Sequence, residues 1–117
     1  MEQLISEEKI KNYFKPNGKL NNVLNNYEYR TQQEVMALGI TKSFNQKQHL
    51  LVEAGTGTGK SFAYLIPSIL LALQEEEQII ISTNTINLQE QLIAKDIPLL
   101  QNLFDFSILI IFALLEK

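Results

Sequence analysis

Residues 49–61, HLLVEAGTGTGKS, carry the most specific pattern in this 117-residue chain. The last eight, residues 54–61, match the pattern A-x-x-x-x-G-K-S, with Ala where the stricter form has Gly. Glycines at 55, 57 and 59 allow left-handed turns that bring successive backbone N–H groups around a phosphate. The stretch therefore predicts a phosphate-binding Walker A loop between an apolar strand and a helix; the alternative is a Gly-rich turn with an incidental lysine.

Two side chains complete the predicted chemistry of this loop. Lys60 supplies a positive charge for the β- and γ-phosphates, and the Ser61 hydroxyl ligates Mg²⁺. The helix that begins at Lys60 directs its N-terminal dipole toward the same anion. We therefore predict Lys60 and Ser61 as the catalytic residues, in a nucleotide site that consists of Ala54, Gly55, Thr56, Gly57, Thr58, Gly59, Lys60 and Ser61.

Apolar spacing in the rest of the chain predicts a layered α/β domain. Helices are expected at residues 2–14, 32–43 and 60–74, and strands at residues 49–54, 78–83 and 107–115. Consecutive apolar residues at 78–83 are typical of a parallel strand that is buried on both faces. The expected fold class is α/β, a P-loop domain in which helices cover both faces of a partial parallel sheet.

Capping and turn signals refine these boundaries. A turn at residues 16–18 ends the first helix, and residues 19–26 are expected to form a loop or a short turn of helix. Capping boxes at residues 31–34 and 87–90 would each begin a helix. Pro98 falls in the first turn of a further helix, where its missing N–H costs nothing. The buried side of the helix at residues 32–43 is expected to contain Val35, Met36, Leu38 and Ile40.

Composition and charge exclude several classes of protein. The chain has no cysteine, which excludes disulfides, a cysteine nucleophile and cysteine-ligated metal sites within these residues. The formal net charge of -3 argues against a stand-alone nucleic-acid binder, which usually carries a basic excess. The longest apolar run, residues 108–115, is far shorter than the roughly 20 residues that span a bilayer. We expect a soluble, cytoplasmic protein with no membrane contact.

Three segments together carry a family resemblance. AGTGTGKS at residues 54–61, followed by ISTNTINLQEQLIAKDIPLL at residues 81–100, resembles motifs I and Ia of superfamily 2 DNA helicases, most closely the DinG branch that is related to XPD. YEYRTQQEVM at residues 27–36 resembles the R-x-x-Q element of that family. The resemblance implies a partial RecA-like domain that binds ATP and Mg²⁺ in an ATP-dependent helicase of DNA repair, one that translocates on single-stranded DNA.

The resemblance also implies roles for individual residues. Gln33 would read the adenine edge through its amide, and Arg30 would support the base or stack near it. Contact with the backbone of single-stranded DNA would come from Thr83, Asn84 and Thr85. Simpler alternatives stay open, because Gln33 could be an exposed residue in a first helical turn and Thr85 or Asn87 could cap the next helix.

Parts of the helicase machinery are missing from these residues. Hydrolysis needs a Walker B carboxylate and an arginine, which in the family belong to the D-E-A-H box and the second lobe. We therefore expect a helical lead-in at residues 1–30 and an incomplete ATP-binding domain at residues 31–117, truncated before motif II and inactive alone. The resemblance leaves room for an iron–sulfur cluster elsewhere in the complete protein, and the oligomeric state stays open. The alternatives are another P-loop enzyme, such as a small kinase, and a non-functional gene remnant.

Overall fold

The computed structural model describes residues 5–54 and 59–104, and the regular elements within them are helical. The chain divides into two compact units, one within residues 1–79 and the other within residues 80–117. The domain boundary that we expect at residue 30 stays a prediction. The helices are α1 (Glu7–Phe14), α2 (Lys19–Val23), α3 (Thr31–Gln46), α4 (Lys60–Glu75), α5 (Ile86–Gln91), a π-helical turn (Leu92–Asp96) and α6 (Ile97–Phe104).

The predicted α/β fold with a parallel sheet is wrong for the described part of the chain, in which no residue belongs to a β-strand. Residues 49–54 and 78–83 are non-helical, and the third predicted strand, 107–115, lies outside the described residues. Leu51 is 99% exposed and Ile80 is 85% exposed, whereas strands covered on both faces would bury them. An apolar run supplies side chains for a sheet, but only a neighbouring strand satisfies its backbone N–H and C=O groups.

The first unit is held together by helix packing. α3 packs against α1 and α4, and α1 also contacts α2. The helical spacing predicted for residues 60–74 is confirmed, because α4 covers that range and buries its apolar side. Full burial of a large apolar side chain stabilises a fold by about 1.5–3 kcal/mol. The buried apolar residues of this unit are Ile5, Ile10, Tyr13, Phe14, Leu20, Ala37, Ala63, Leu65, Ile66 and Leu70.

The buried stripe of α3 differs from the predicted one. Gln33, Ala37 and Thr41, spaced four residues apart, are all buried, whereas Val35 is 61% exposed. The Thr41 hydroxyl donates to the Ala37 carbonyl at 2.8 Å, so this polar group is satisfied within the helix. Small and polar residues therefore occupy the buried side of α3 and place Gln33 at its N-terminal end.

Both predicted capping boxes are wrong in detail. Arg30 is the N-cap of α3, and its carbonyl accepts from the N–H groups of Gln33 at 3.1 Å and Glu34 at 3.3 Å. Thr31 is already helical and makes no cap. At α5 the cap is Thr85, whose hydroxyl oxygen accepts from the Leu88 N–H at 3.1 Å. Each helix thus begins before the residue that the four-residue pattern had suggested.

The second unit contains a continuous run of helix with a π-helical turn inside it. Gln91 and Asp96 are five residues apart, and the wider turn brings the Gln91 Nε2 to 3.3 Å from an Asp96 carboxylate oxygen. An ordinary α-helix would turn positions five apart away from each other. Burial raises the pKa of the Asp96 carboxyl, opposed by the Gln91 hydrogen bond and by Lys95. Among the described residues, no helix has the length and apolar character needed to cross a membrane.

Asn45 ties the beginning of the chain to the end of α3. Its Oδ1 accepts from the Ile5 N–H at 2.8 Å, and its Nδ2 donates to the Ile5 carbonyl at 2.9 Å. The side-chain amide therefore satisfies both backbone groups of a residue whose side chain is fully buried.

Replacing Asn45 by Ala is expected to lower the free energy of unfolding by about 1–3 kcal/mol, because two buried backbone groups lose their partners. Urea denaturation followed by circular dichroism measures the change. Asn22→Ala, at an exposed position of α2, is the matched control and should stay within about 0.5 kcal/mol of the parent. Equal stabilities of the two variants would contradict the role of Asn45.

Tyr27 links the segment before α3 to α1, since its hydroxyl donates to the Phe14 carbonyl. Burial, then the charges of Glu34 and Tyr29, raise the Tyr27 pKa from 10.0 to about 12. Between those values the unfolded chain loses the phenolic proton while the folded chain keeps it. The stabilisation from this group is therefore complete below pH 10 and is lost as the pH rises to about 12.

We predict that the free energy of unfolding falls across this pH window more steeply in the parent than in Tyr27→Phe, which has no proton to lose there. Subtracting the two urea-denaturation series removes the titration of lysines and of the other tyrosines. Parallel curves for the parent and the variant would show that Tyr27 titrates alike in both states.

Candidate functional site

The two described ends of the Walker A loop lie close together. Lys60, the first residue of α4, directs its Nζ back to the carbonyl oxygen of Ala54 at 3.2 Å. Residues 55–58 lie outside the described part of the chain, so the predicted contacts of Gly55, Thr56, Gly57 and Thr58 stay predictions. The Lys60 side chain is exposed, and its ammonium has three donors. One donor on a carbonyl leaves two for an incoming anion.

Gly59 closes the loop and begins α4. Its φ of 73° and ψ of 41° lie in the left-handed region, the kind of turn that the glycine spacing predicts for this loop. A Cβ at this position would lie 2.1 Å from the Nε2 of Gln33, well inside contact distance. The Gly59 carbonyl accepts the first helical bond of α4, from the Ala63 N–H at 3.4 Å. The left-handed conformation and the close approach of the Gln33 amide therefore both favour glycine at this position.

Gln33 contacts the loop from α3. Its Nε2 donates to the Gly59 carbonyl at 3.0 Å, and the residue is only 5% exposed. Its Oε1 is buried and has no hydrogen-bond partner among the described residues. The alternative in which Gln33 is an exposed residue of a first helical turn is therefore wrong. This hydrogen bond brings the R-x-x-Q element into contact with the Walker A loop, between residues 26 positions apart in sequence.

Two further predicted site residues lie close in sequence to this hydrogen bond: Arg30 precedes Gln33 by three positions, and Ser61 follows Gly59 by two. The guanidinium of Arg30 pairs with the Glu28 carboxylate at 3.4 Å, and both side chains are solvent-exposed. Such a surface pair contributes little stability, so it does not commit the arginine to a structural role. Ser61 is half-buried in the first turn of α4. The predicted roles of Arg30 at the base and of Ser61 on Mg²⁺ stay predictions.

The predicted DNA contacts lie in the second unit, before and at the start of α5. Thr83 is half-buried, while Asn84 and Thr85 are exposed. The Thr83 hydroxyl donates to the Thr85 carbonyl at 3.0 Å, and the Thr85 hydroxyl oxygen caps α5 through Leu88. The capping alternative for Thr85 is thus confirmed, and the DNA contact stays a prediction.

The chemistry of the described site is that of anion binding. The N-terminus of a 16-residue helix, an exposed lysine with donors to spare and a left-handed glycine lie next to one another in sequence. The described residues contain no group of three or more His, Cys, Asp or Glu side chains placed to hold a metal ion.

The contact between Gln33 and the Gly59 carbonyl was not predicted from the sequence patterns. The amide of the glutamine in R-x-x-Q donates to the loop backbone, and its expected contact with a nucleotide base stays a prediction. Spacing along a single chain does not reveal which backbone carbonyl a distant side chain will reach. The only local signal was the four-residue spacing of Gln33, Ala37 and Thr41, which places the glutamine on the buried side of α3.

Comparison with known proteins gives a consistent result. A family model described as DEAD/DEAH box helicase matches residues 29–111. An "ATP-dependent DNA helicase YoaA" from Haemophilus influenzae is 39% identical over 86% of this chain, which covers 15% of that protein. An "ATP-dependent helicase DinG" from Mycobacterium tuberculosis is 48% identical over 59% of the chain, and a "3'-5' exonuclease DinG" from Bacillus subtilis is 38% identical over 76%; the chain covers 10% of each. No solved structure matches the chain.

The geometry of Gly59 predicts a stability effect that needs no ligand. Gly59→Ala places a methyl group against Gln33 and forces a left-handed φ on alanine, so we expect a loss of about 1–3 kcal/mol in the free energy of unfolding. Gly39→Ala is the matched control, because its Cβ would meet Leu50 at an ordinary 3.8 Å. That helical substitution is expected to raise stability by about 0.4–1 kcal/mol. Urea denaturation of both variants measures whether the free energy of unfolding falls in Gly59→Ala and rises in Gly39→Ala. An unchanged free energy of unfolding in Gly59→Ala would contradict this geometry.

Proposed function

The chain belongs to the DEAD/DEAH box helicase family, and on that premise we propose that it forms the nucleotide-binding part of an ATP-dependent DNA helicase of the DinG type, acting in DNA repair. The observation that carries the proposal is the hydrogen bond from Gln33 to Gly59. It joins the R-x-x-Q element to the last glycine of the Walker A loop, and the resemblance assigns both segments to the nucleotide. The chain spans 10–15% of the length of the relatives described above, so the activity belongs to a longer protein.

The residues at the loop fit a nucleoside triphosphate. Lys60 presents an ammonium at the N-terminus of α4, where the helix dipole also favours an anion. Gln33 provides a buried oxygen that has no hydrogen-bond partner within residues 5–54 and 59–104. In our proposal the loop residues and Lys60 hold the triphosphate, and Ser61 takes a position on the accompanying Mg²⁺. When bound, MgATP supplies the phosphoanhydride bond whose hydrolysis drives translocation.

In the complete protein the residues before and at the start of α5 would contact single-stranded DNA. Asn84 and Thr85 are exposed and offer an amide and a hydroxyl, both suited to phosphate oxygens. The net charge of -3 is inconsistent with a broad basic surface that would bind the DNA backbone through many lysines and arginines. We therefore propose contacts through a few short polar groups, which position the strand without reading its sequence. A helicase with this substrate would act in the cytoplasm.

Hydrolysis needs more than these residues provide. The 117-residue sequence contains no D-E-A-H box, so the carboxylate that completes Mg²⁺ binding and positions the attacking water is missing. It also contains no cysteine, so an iron–sulfur cluster in a longer form would take its ligands from outside these residues. The competing assignment to a small kinase is disfavoured by the match of a helicase family model to residues 29–111.

We expect the chain to bind MgATP weakly and to hydrolyse none above background. Titration with MgATP should shift the backbone amide NMR signals of the residues around Lys60. Lys60→Ala should abolish these shifts, because it removes the ammonium. Lys42→Ala is the matched control, since Lys42 is an exposed lysine of α3. A phosphate-release assay on the same samples tests hydrolysis.

Two outcomes would contradict the proposal in different ways. If the amide signals did not shift at millimolar MgATP in a chain that unfolds cooperatively, the proposal that the chain binds nucleotide would be wrong. Turnover that depends on Lys60 would show that the Walker B carboxylate is not needed for hydrolysis, and the expectation of an incomplete site would be wrong. A featureless thermal melt would favour the gene-remnant alternative.

A further inference from the structure

We infer that Gln33 is a positioning residue for the phosphate-binding loop, holding Gly59 in its left-handed turn so that the peptide group it shares with Lys60 is set for a polyphosphate whatever the base. This inference rests on the proposed function and extends it. The role implied by the family resemblance is contact with adenine, whereas the geometry directs the side chain to the loop backbone. The two roles predict different responses to the ligand's base.

The first step of the argument is the position of the bond. The Gly59 carbonyl that accepts from Gln33 Nε2 belongs to the peptide group shared with Lys60. The same carbonyl accepts the first helical bond of α4 from Ala63. A single acceptor therefore determines both how the loop ends and how the helix begins. Any rotation of this peptide would move the Lys60 N–H and the direction in which the lysine leaves the loop.

The second step is the orientation of the side-chain amide. Because the Gly59 group is a carbonyl, only the NH₂ end of Gln33 can face it; the flipped amide would place two acceptors together. The Oε1 must then lie on the other side, where it is buried and has no partner in the described part of the chain. The amide is therefore oriented by the loop, with no ligand needed to hold it.

The third step is the cost of this arrangement. A buried polar atom without a hydrogen bond destabilises a fold, and the Oε1 of the 5% exposed Gln33 has none from the residues that the structure describes. An apolar residue of similar size would avoid that cost but would leave the Gly59 carbonyl with its helical bond alone. A glutamine here is consistent with a contribution to loop geometry rather than to stability, the kind of compromise expected at a functional position.

The test compares three ligands with Mg²⁺ present: ATP, GTP and inorganic tripolyphosphate, which has no base. Gln33→Leu removes the donor while keeping the approximate size, and Gln32→Leu alters the neighbouring, exposed glutamine as the control. We expect Gln33→Leu to weaken all three ligands by a similar factor, about fivefold, the affinity equivalent of one net hydrogen bond. Its melting temperature should equal or exceed that of the parent, and Gln32→Leu should bind as the parent does.

Several results would overturn the inference. Weakened ATP binding with unchanged tripolyphosphate binding would assign Gln33 to the base alone. Unchanged binding of all three ligands would remove any role at the loop. A melting temperature that falls in step with affinity would reduce Gln33 to a structural residue. In each case the proposed function would stand, because the parent still binds nucleotide.

A ligand-free measurement separates the inference from the proposed function. Without any ligand, Gln33→Leu should shift the backbone amide signal of Lys60, whose N–H shares a peptide group with the Gly59 carbonyl, and should increase motion at Gly59 in ¹⁵N relaxation. If the folded parent bound none of the three ligands, the proposed function would fail and this measurement alone would decide the inference. Unchanged Lys60 and Gly59 signals in Gln33→Leu would overturn it.

Discussion

The hydrogen bond from the Gln33 amide to the Gly59 carbonyl is the constraint on which the candidate site depends. It is feasible only because residue 59 has no Cβ, since a methyl group there would lie 2.1 Å from the amide nitrogen. The left-handed turn at Gly59 orients the carbonyl, and α4 begins from that same peptide. The left-handed glycine, the glutamine amide and the start of α4 thus share one carbonyl group, whose peptide also carries the Lys60 N–H.

The placement of Gln33 follows from how α3 packs. Its buried stripe, Gln33, Ala37 and Thr41, is small and polar, and Thr41 satisfies itself on the Ala37 carbonyl. Larger apolar residues of α3 lie on another side, where Met36, Ile40 and Phe44 line an open cavity of about 360 Å³. A purely apolar criterion for burial therefore selects the wrong side of this helix. What decides burial is which side meets α1 and α4, and that is a property of three helices together.

How much the sequence predicted depends on whether the signal was local. The start of α4 at Lys60 was predictable because glycine conformation and helix spacing are encoded within a few residues. The strands at 49–54 and 78–83 were not, because a strand exists only with a partner and apolar composition does not supply one. The cap of α3 was misplaced by one residue, because Arg30 acts through its backbone carbonyl, which a pattern of residue types does not describe. At α5 the four-residue pattern pointed to Asn87, whereas the alternative cap at Thr85, a residue type that favours this position, is the one that forms. The Gln33 contact joins residues 26 apart, a distance at which spacing carries no information.

Thr85 illustrates why structural and functional interpretations need not compete. A hydroxyl has one donor and two acceptor lone pairs. The cap on α5 uses one lone pair, to receive the Leu88 N–H, and the Thr85 carbonyl separately receives the Thr83 hydroxyl. The hydroxyl hydrogen is therefore not consumed by the cap, and Thr85 is exposed. A phosphate oxygen of a nucleic-acid strand could accept from that hydrogen without breaking the cap. The cap would moreover fix the hydroxyl in place beforehand, so that the side-chain entropy otherwise lost on binding is already lost on folding.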